Sequence, residues 1–518
     1  MKEISLLLVL LMSLLHGETF KLVDQGKLSE HALLVGKSWQ EKGVAVIGKG
    51  TGEFLRFAHQ VKAGDFEVTA TIKLDKIQHT AAGLSFGQEF FGFDSSQGIF
   101  LEGGDFDKQF IKNTYIEAGK DFAFKATASK GKISFFIDGK KVVTKNFRAK
   151  KIRSLALRPH RNVMTIRDFA VTGGFIPQEK LNFIFKSGQD DYHTFRIPAL
   201  ITSKKGTLLA FAEGRVNSNV DHGDMDIVLK RSFDNGKTWQ DLQVVTDDGK
   251  LQCGNPAPLV DYKNDRIFLV SCGSDSSESA VMNGKAVRKV YIQHSKDDGK
   301  SWSKRREITS MVKRESWRWY ATGPCSGIQI RTGQYKGRLV VPANHSVFEN
   351  NRHIYRAHSL YSDDFGKTWK IGAISSDGGN ESQIAEAGKD LLYHTIRMQS
   401  HRQGMRGSRY STDGAVEWTE TKHDNALHGS RCQASVVRDY SKKSRLIFAN
   451  PAKHKKREGM TIRVSENAGK TWPYRKLVFE NSSAYSDLAI CKNGDVAILF
   501  EGDRSAYWKV GFFLRLIR

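Results

Sequence analysis

Several arginines stand where a guanidinium is conspicuous. Arg196 lies in Phe195-Arg196-Ile197-Pro198, Arg215 closes Phe211–Arg215, and Arg397 ends the apolar run Tyr393-His394-Thr395-Ile396-Arg397. Arg457 opens a stretch that also holds Arg463. An unpaired charge in a strand-like apolar run is expensive, and guanidinium forks bind carboxylates through paired, charge-assisted hydrogen bonds. Lys456, beside Arg457, cannot supply that fork, whereas Arg463 can. Three aspartates, Asp221, Asp224 and Asp226, crowd the segment Val220–Val228. Taken singly, each of these residues has an ordinary reading as a surface charge or a polar turn. The five cysteines form no C-x-x-C pair and are odd in number, so they imply neither a zinc site nor a disulfide framework and read as buried fillers.

The elements that must position these groups are strands. An eight-residue pattern recurs at Ser232–Trp239, Ser295–Trp302, Ser362–Trp369 and Ser465–Trp472, with a degenerate copy at Ser411–Trp418. The starts differ by 63, 67, 49 and 54 residues, about one four-stranded propeller blade each. Within a copy, Asp or Asn can cap the N–H groups of its own turn, Gly takes the positive-φ position, and Trp packs as an apolar wedge. The repeat is therefore structural and carries no catalysis. From Phe20 to Gly174 the chain reads instead as short alternating strands, such as Phe66–Ile72 and Ile133–Ile137, the latter closing on Asp138-Gly139. That is a hairpin signal, and many such strands without helical periodicity predict a two-sheet sandwich. The expected fold class is all-β, with a jelly-roll-like sandwich over residues 20–175 and a six-bladed propeller over 181–518. The sandwich resembles concanavalin-like or laminin-G-like jelly rolls, which implies carbohydrate binding or a structural appendage.

The eight-residue pattern resembles the Asp box, and a Phe-Arg-Ile-Pro stretch opening an Asp-box propeller resembles the sialidases (exo-α-neuraminidases). The resemblance covers about two-thirds of the chain, from near Leu181 onward. It implies that Arg196, Arg397 and Arg457 form a triad on the carboxylate of sialic acid, with Arg215 lining the pocket and Glu501 steadying Arg196. It further implies Tyr485, in Ser483–Leu488, as nucleophile, Glu381 as its base and Asp221 as general acid. Glu386, Asp224, Asp226 and Arg463 are the nearest rivals. Sialidases depart from the two-carboxylate rule of glycosidases by using tyrosine. A physical reason is available: a carboxylate nucleophile would be repelled by the carboxylate on the anomeric carbon, and a neutral phenol would not. A phenol with an ordinary pKa near 10 then needs a base. The implied reaction is hydrolysis of terminal α-linked sialic acid with retained configuration, without metal or cofactor, on sialylated glycoproteins, glycolipids or oligosaccharides. The competing readings are a non-catalytic sialoglycan-binding propeller, a trans-sialidase-type transferase and a structural Asp-box protein.

Composition bounds these readings. The 518 residues are 39% hydrophobic and 10% aromatic, enough for a packed core, and 47 glycines against 9 prolines suit strands joined by tight turns. The net charge of +24 suggests anionic partners. Its densest run is Lys453–Arg457, and no nucleic-acid-binding motif accompanies it, so nucleic acid is not expected as a partner. The apolar run Ile4–Leu15 has the length of a signal-peptide core and is too short for a membrane span. Residues 1–17 are thus expected to direct export to a secreted or periplasmic location, with no stable membrane insertion afterwards.

Overall fold

A computed structural model describes residues 18–515 apart from 30, 37, 78–79, 149–150, 153, 177–181, 400–403 and 504–509. The expected signal peptide at 1–17 lies outside the described residues. Contacts divide the chain into two units, Met1–Lys180 and Leu181–Arg518.

The first unit pairs a ten-stranded with a seven-stranded antiparallel sheet. Its strands bury alternate residues, as the period-2 pattern dictates: in Asp121–Ser129 Phe122, Phe124, Ala126 and Ala128 point inward while Asp121, Ala123 and Lys125 point outward. Phenylalanines from both sheets fill the core. Phe91 of one sheet stacks on Phe135 of the other with centroids 4.4 Å apart, and Phe93 meets Phe124 edge-on at 5.1 Å. The Asp138-Gly139 hairpin forms, with Ile137 pairing Lys140 and φ of 47° and 74° at the two turn residues, the geometry a right-handed twist favours.

The second unit is a succession of six antiparallel blades. Their innermost strands are Thr194–Thr202, Gln252–Asp261, the broken pair Tyr320–Thr322 and Ile328–Gln329, Gly379–Gly388, Ser435–Asp439 and the second half of Tyr474–Ile490. The 17-residue strand Tyr474–Ile490 serves two blades. Its first half pairs Glu458–Ser465 at the rim of the fifth, and its second half pairs Val496–Asp503 in the sixth. Inner strands are buried on both faces; Thr194–Thr202 is buried at every position but the last.

Each Asp box follows the third strand of its blade. In the first, Ser232 Oγ donates to Asp234 Oδ1 (2.8 Å), Gly236 N donates to Ser232 Oγ (2.8 Å), and Thr238 N donates to Asp234 Oδ1 (2.9 Å). Both Asn235 and Gly236 have positive φ, 58° and 85°. The degenerate copy keeps the scaffold: Ser411 Oγ meets Asp413 Oδ1 at 2.8 Å, and Ala415, where the other copies have Gly, takes φ of 78°.

Asp487 ties the blades together at the axis. Its buried carboxylate accepts from Leu200 N, Ser326 N and Gln383 Nε2 (2.8–2.9 Å), joining the first, third, fourth and sixth blades. Burial outweighs these donors and lifts its pKa to about 6.

Candidate active site

The inner strands break their ladders at one level. The registers skip residues between Arg196 and Ala199, Gly254 and Ala257, Gly379 and Ser382, and Ser483 and Ser486. The third blade is interrupted there by Gly323-Pro324-Cys325. A bulge frees a residue from pairing and re-aims its side chain. The freed residues include Ile197, Asn255, Glu381 and Tyr485, and all four line a cavity of about 330 Å³. Ile197 has φ of 58°, a conformation costing a β-branched residue about 1–3 kcal/mol. The Ile197 N–H donates to Glu501 Oε1 at 2.9 Å, which holds it there. Gly254 sits under this layer, where an added Cβ would lie 2.6 Å from Glu213 Oε1.

Glu501, fully buried, grips Arg196 bidentately, Nε to Oε1 at 3.0 Å and Nη2 to Oε2 at 3.1 Å. Burial opposes the charge on Arg196, but Glu501, Tyr485 and Asp221 overcompensate and raise its pKa above the usual value. The remaining arm, Nη1, faces the cavity. Arg397 and Arg457 enter from the fourth and fifth blades. The guanidiniums of Arg196 and Arg457 lie 5.3 and 5.5 Å from the Tyr485 ring centroid. Three guanidiniums therefore surround one phenol.

Tyr485 Oη donates to Glu381 Oε1 in a short hydrogen bond. Arg397 Nη1 donates to Glu381 Oε2 at 2.5 Å and to Tyr485 Oη at 3.1 Å. Burial and the adjacent Glu381 push the phenol well above 10, while Arg397 and Arg457 pull the other way. The resting group is a neutral phenol beside a carboxylate that can take its proton, with cations placed to stabilise phenolate as it forms.

Asp221 projects from the loop between Leu208–Arg215 and Met225–Ser232, with 68% of its side chain exposed. Arg215 anchors this loop through Nη1 to Asn219 O (2.7 Å) and Val220 O (3.0 Å), and it meets Asp221 Oδ1 at 2.7 Å. Arg196 Nη1 reaches the same oxygen at 3.3 Å. Partial desolvation pushes the Asp221 carboxyl up, but Arg215 and Arg196 together hold it below its usual value. Arg215 in turn rests on Glu213, with Nη2 to Oε2 at 2.7 Å.

Residues 206–498, more than half of the chain, match the BNR repeat-like domain family. A sialidase of Bacteroides fragilis is 32% identical over 341 residues, covering 61% of each chain. A sialidase of Micromonospora viridifaciens is 29% identical over 339 residues, 61% of this chain and 51% of that one. This chain belongs to the BNR-repeat sialidase family. It spans 61% and 51% of the lengths of those two relatives. Its fold is similar to that of the Hadza microbial sialidase Hz136, with a TM-score of 0.61 at 24% identity over 89% of this chain and 94% of that one.

Around this sialidase-family site the rivals go elsewhere. Glu386 faces the far end of the channel, where it accepts from Arg331 N (2.9 Å), Tyr440 Oη (2.8 Å) and Thr332 Oγ1. Asp226 accepts from Tyr192 Oη at 2.6 Å, and burial lifts its pKa to about 6. The backbone carbonyl of Asp224 accepts from Val216 N, closing the loop. Arg463 donates to Asn450 Oδ1 at 2.7 Å in the body of the fifth blade. The structure also brings in residues that sequence reasoning missed. Arg288, fully buried, donates to Gln252 Oε1 (2.5 Å) and Asn255 Oδ1 (2.6 Å) and lies 4.2 Å from the Trp319 ring. Tyr355 Oη donates to Glu278 Oε1 at 2.8 Å on the opposite wall. Of these missed residues Asn255 alone carries a signal, the Pro that follows it and marks a bulge; Arg288, Trp319 and Tyr355 reach the cavity through tertiary structure alone.

Proposed function

We propose that the chain is an exo-sialidase that hydrolyses terminal α-linked sialic acid with retention through a tyrosyl-enzyme. The observation that carries this reading is Tyr485 Oη bonded to Glu381 while Arg397 touches both, between Arg196 and Arg457. Arg196, Arg397 and Arg457 would take the substrate carboxylate. Glu381 accepts the phenol proton as Tyr485 Oη bonds to the anomeric carbon. The bond to the aglycone oxygen breaks, and that oxygen takes a proton from Asp221. In the second half Asp221 accepts a proton from water, the water oxygen attacks the anomeric carbon, and Glu381 returns its proton to the departing phenolate.

Asp221 needs a proton at the moment of cleavage, although Arg215 and Arg196 keep it ionised in the free protein. A substrate carboxylate entering the arginines neutralises part of that field. Binding itself then raises the Asp221 pKa and loads the acid.

The test is hydrolysis of a fluorogenic N-acetylneuraminic acid glycoside by wild type and Tyr485→Phe. The expected result is turnover that falls on the order of 10³-fold or more in the variant, with an α-configured first product by NMR. Absence of wild-type turnover with sialoglycan binding intact would move the protein to the lectin reading, and a β-configured product would remove the tyrosyl intermediate. Export to a secreted or periplasmic location is part of the proposal and rests on the Ile4–Leu15 run. Amino-terminal sequencing of the mature protein tests it: a start at Met1 would count against cleavage.

A further inference from the structure

The six inner strands begin at the catalytic mouth and end at a second opening, where a cavity of about 440 Å³ lies below the Asp487 and Gln383 plug. Its lining is charged asymmetrically, with Lys204, Arg331, Arg438 and Lys492 against Glu386 and Asp439. Both carboxylates are already engaged: Glu386 by Tyr440, Thr332 and the Arg331 N–H, and Asp439 by Arg445 at 3.3 Å and Ser441 N at 2.9 Å. The arginines keep donors that no described residue accepts. The Arg331 guanidinium lies 4.1 Å from the Tyr440 ring centroid and 4.8 Å from that of Tyr262, with no side-chain hydrogen bond or ion pair to any described residue. Two aromatic contacts hold the guanidinium of this exposed residue, and its N–H donors face the cavity solvent.

Behind it Arg438 is 8% exposed. Its Nη2 donates to Lys443 O (3.1 Å) and its Nη1 faces Glu386 Oε1 at 3.3 Å, but Nε and Nη1 have no hydrogen-bond partner among the described residues. A buried guanidinium with orphaned donors is costly unless something accepts from them. The accessible apolar lining is the half-buried Ile490 and the Tyr262 and Tyr440 rings. A planar fork held on tyrosines, with a second cation behind it and Ile490 beside it, matches a small carboxylate attached to an apolar body.

We infer that this rear mouth of the propeller is a second binding site, separate from the catalytic cavity, for a small carboxylate-bearing ligand held by Arg331 with Arg438 behind it. The probe is 4-fluorobenzoate, followed by fluorine NMR linewidth on the full chain. The catalytic arginines also attract carboxylates, so the titration uses Arg397→Met, with and without Arg331→Met. Saturable binding in Arg397→Met is expected, weakened about tenfold or more when Arg331→Met is added, with Arg331→Lys in between because it keeps charge and loses the fork. In the wild-type background, Arg331→Met should remove one of two binding equivalents, a readout that survives if Arg397→Met fails to fold. Absence of saturable binding in a folded Arg397→Met, or an affinity indifferent to Arg331→Met in both backgrounds, would overturn the inference. Neither outcome depends on turnover, so the site stands or falls separately from the proposed sialidase activity.

Discussion

In the proposed mechanism Asp221 must be ionised when the cavity is empty and protonated when the glycosidic bond breaks. Arg215 and Arg196 hold its carboxyl low in the free protein, and their influence weakens once a substrate carboxylate shares the arginines. The pH profile of kcat/KM reports the free enzyme and that of kcat the complex. A group required in its protonated form gives a limb falling with rising pH, so this limb should lie at higher pH in kcat than in kcat/KM. Coincident limbs would show that substrate does not load the acid. Asp221→Asn should cut kcat/KM for alcohol-leaving substrates on the order of 10²–10⁴-fold. Aryl glycosides, whose leaving group departs as an anion, should lose far less; an equal loss for both would place Asp221 outside proton transfer. Glu381 and Glu386 make a second contrast at this scale. They stand five residues apart on one strand, yet one meets the phenol and the other a cluster at the far mouth. Glu381→Gln should abolish turnover while Glu386→Gln mainly lowers the unfolding midpoint, and initial rates with urea melts on both variants separate the two effects.

The bulged inner strand is the device that turns a buried ladder into the wall of the candidate site, and part of it is written in the chain. Ile197-Pro198, Asn255-Pro256 and Gly323-Pro324 place proline inside strands that are otherwise continuous, and proline in a central strand marks a bulge or break. Asn380-Glu381 and Ala484-Tyr485 carry no such mark; their bulges follow from packing around Glu501 and Asp487. The Asp boxes were legible because their chemistry is local: the Ser, Asp and Thr that bond one another lie within seven residues. The Arg288, Trp319 and Tyr355 walls were not, since each reaches the cavity only after two blades have docked. Locality also predicts the effect of breaking a box. Asp364→Ala removes acceptors for Thr368 N at 2.9 Å and Thr368 Oγ1 at 2.6 Å, which by analogy with helix caps costs about 1 kcal/mol. The unfolding free energy from urea melts should fall by that amount with kcat/KM unchanged. A fall in kcat/KM without a change of midpoint would give the box a catalytic part it has not been assigned.

Charge acts on the whole chain. With a net charge of +24, attraction of polyanionic sialoglycans should weaken as salt shortens the Debye length. The expected result is a kcat/KM for sialylated glycoprotein that declines from low to physiological ionic strength, and a flat profile would remove the steering role. Stability should respond to acid through groups buried in the propeller. His345, His358 and His394 are buried neutral; burial lowers His345 to about 3 and the other two well below 6.5. Unfolding lets each take a proton below about pH 6.5, so they withdraw stability as pH falls. Asp226 and Asp487 act in the opposite sense. Raised to about 6 in the folded chain, they are protonated there before the unfolded chain protonates its aspartates, and their penalty is lifted between pH 6 and 4. His160 and His294 are lowered by burial as well and act in the same sense as the other histidines, so proton uptake on unfolding exceeds release from the two aspartates and stability should fall as pH drops through this window. Below it the box carboxylates Asp234 and Asp297, held at about 2 by their own turns, begin to add to the loss. Asp487→Asn removes one offsetting group and should steepen the fall. Urea midpoints at pH 6.5, 5.5 and 4.5 measure both slopes, and a wild type that gains stability on acidification, or an Asp487→Asn slope equal to it, would show that other groups govern the response.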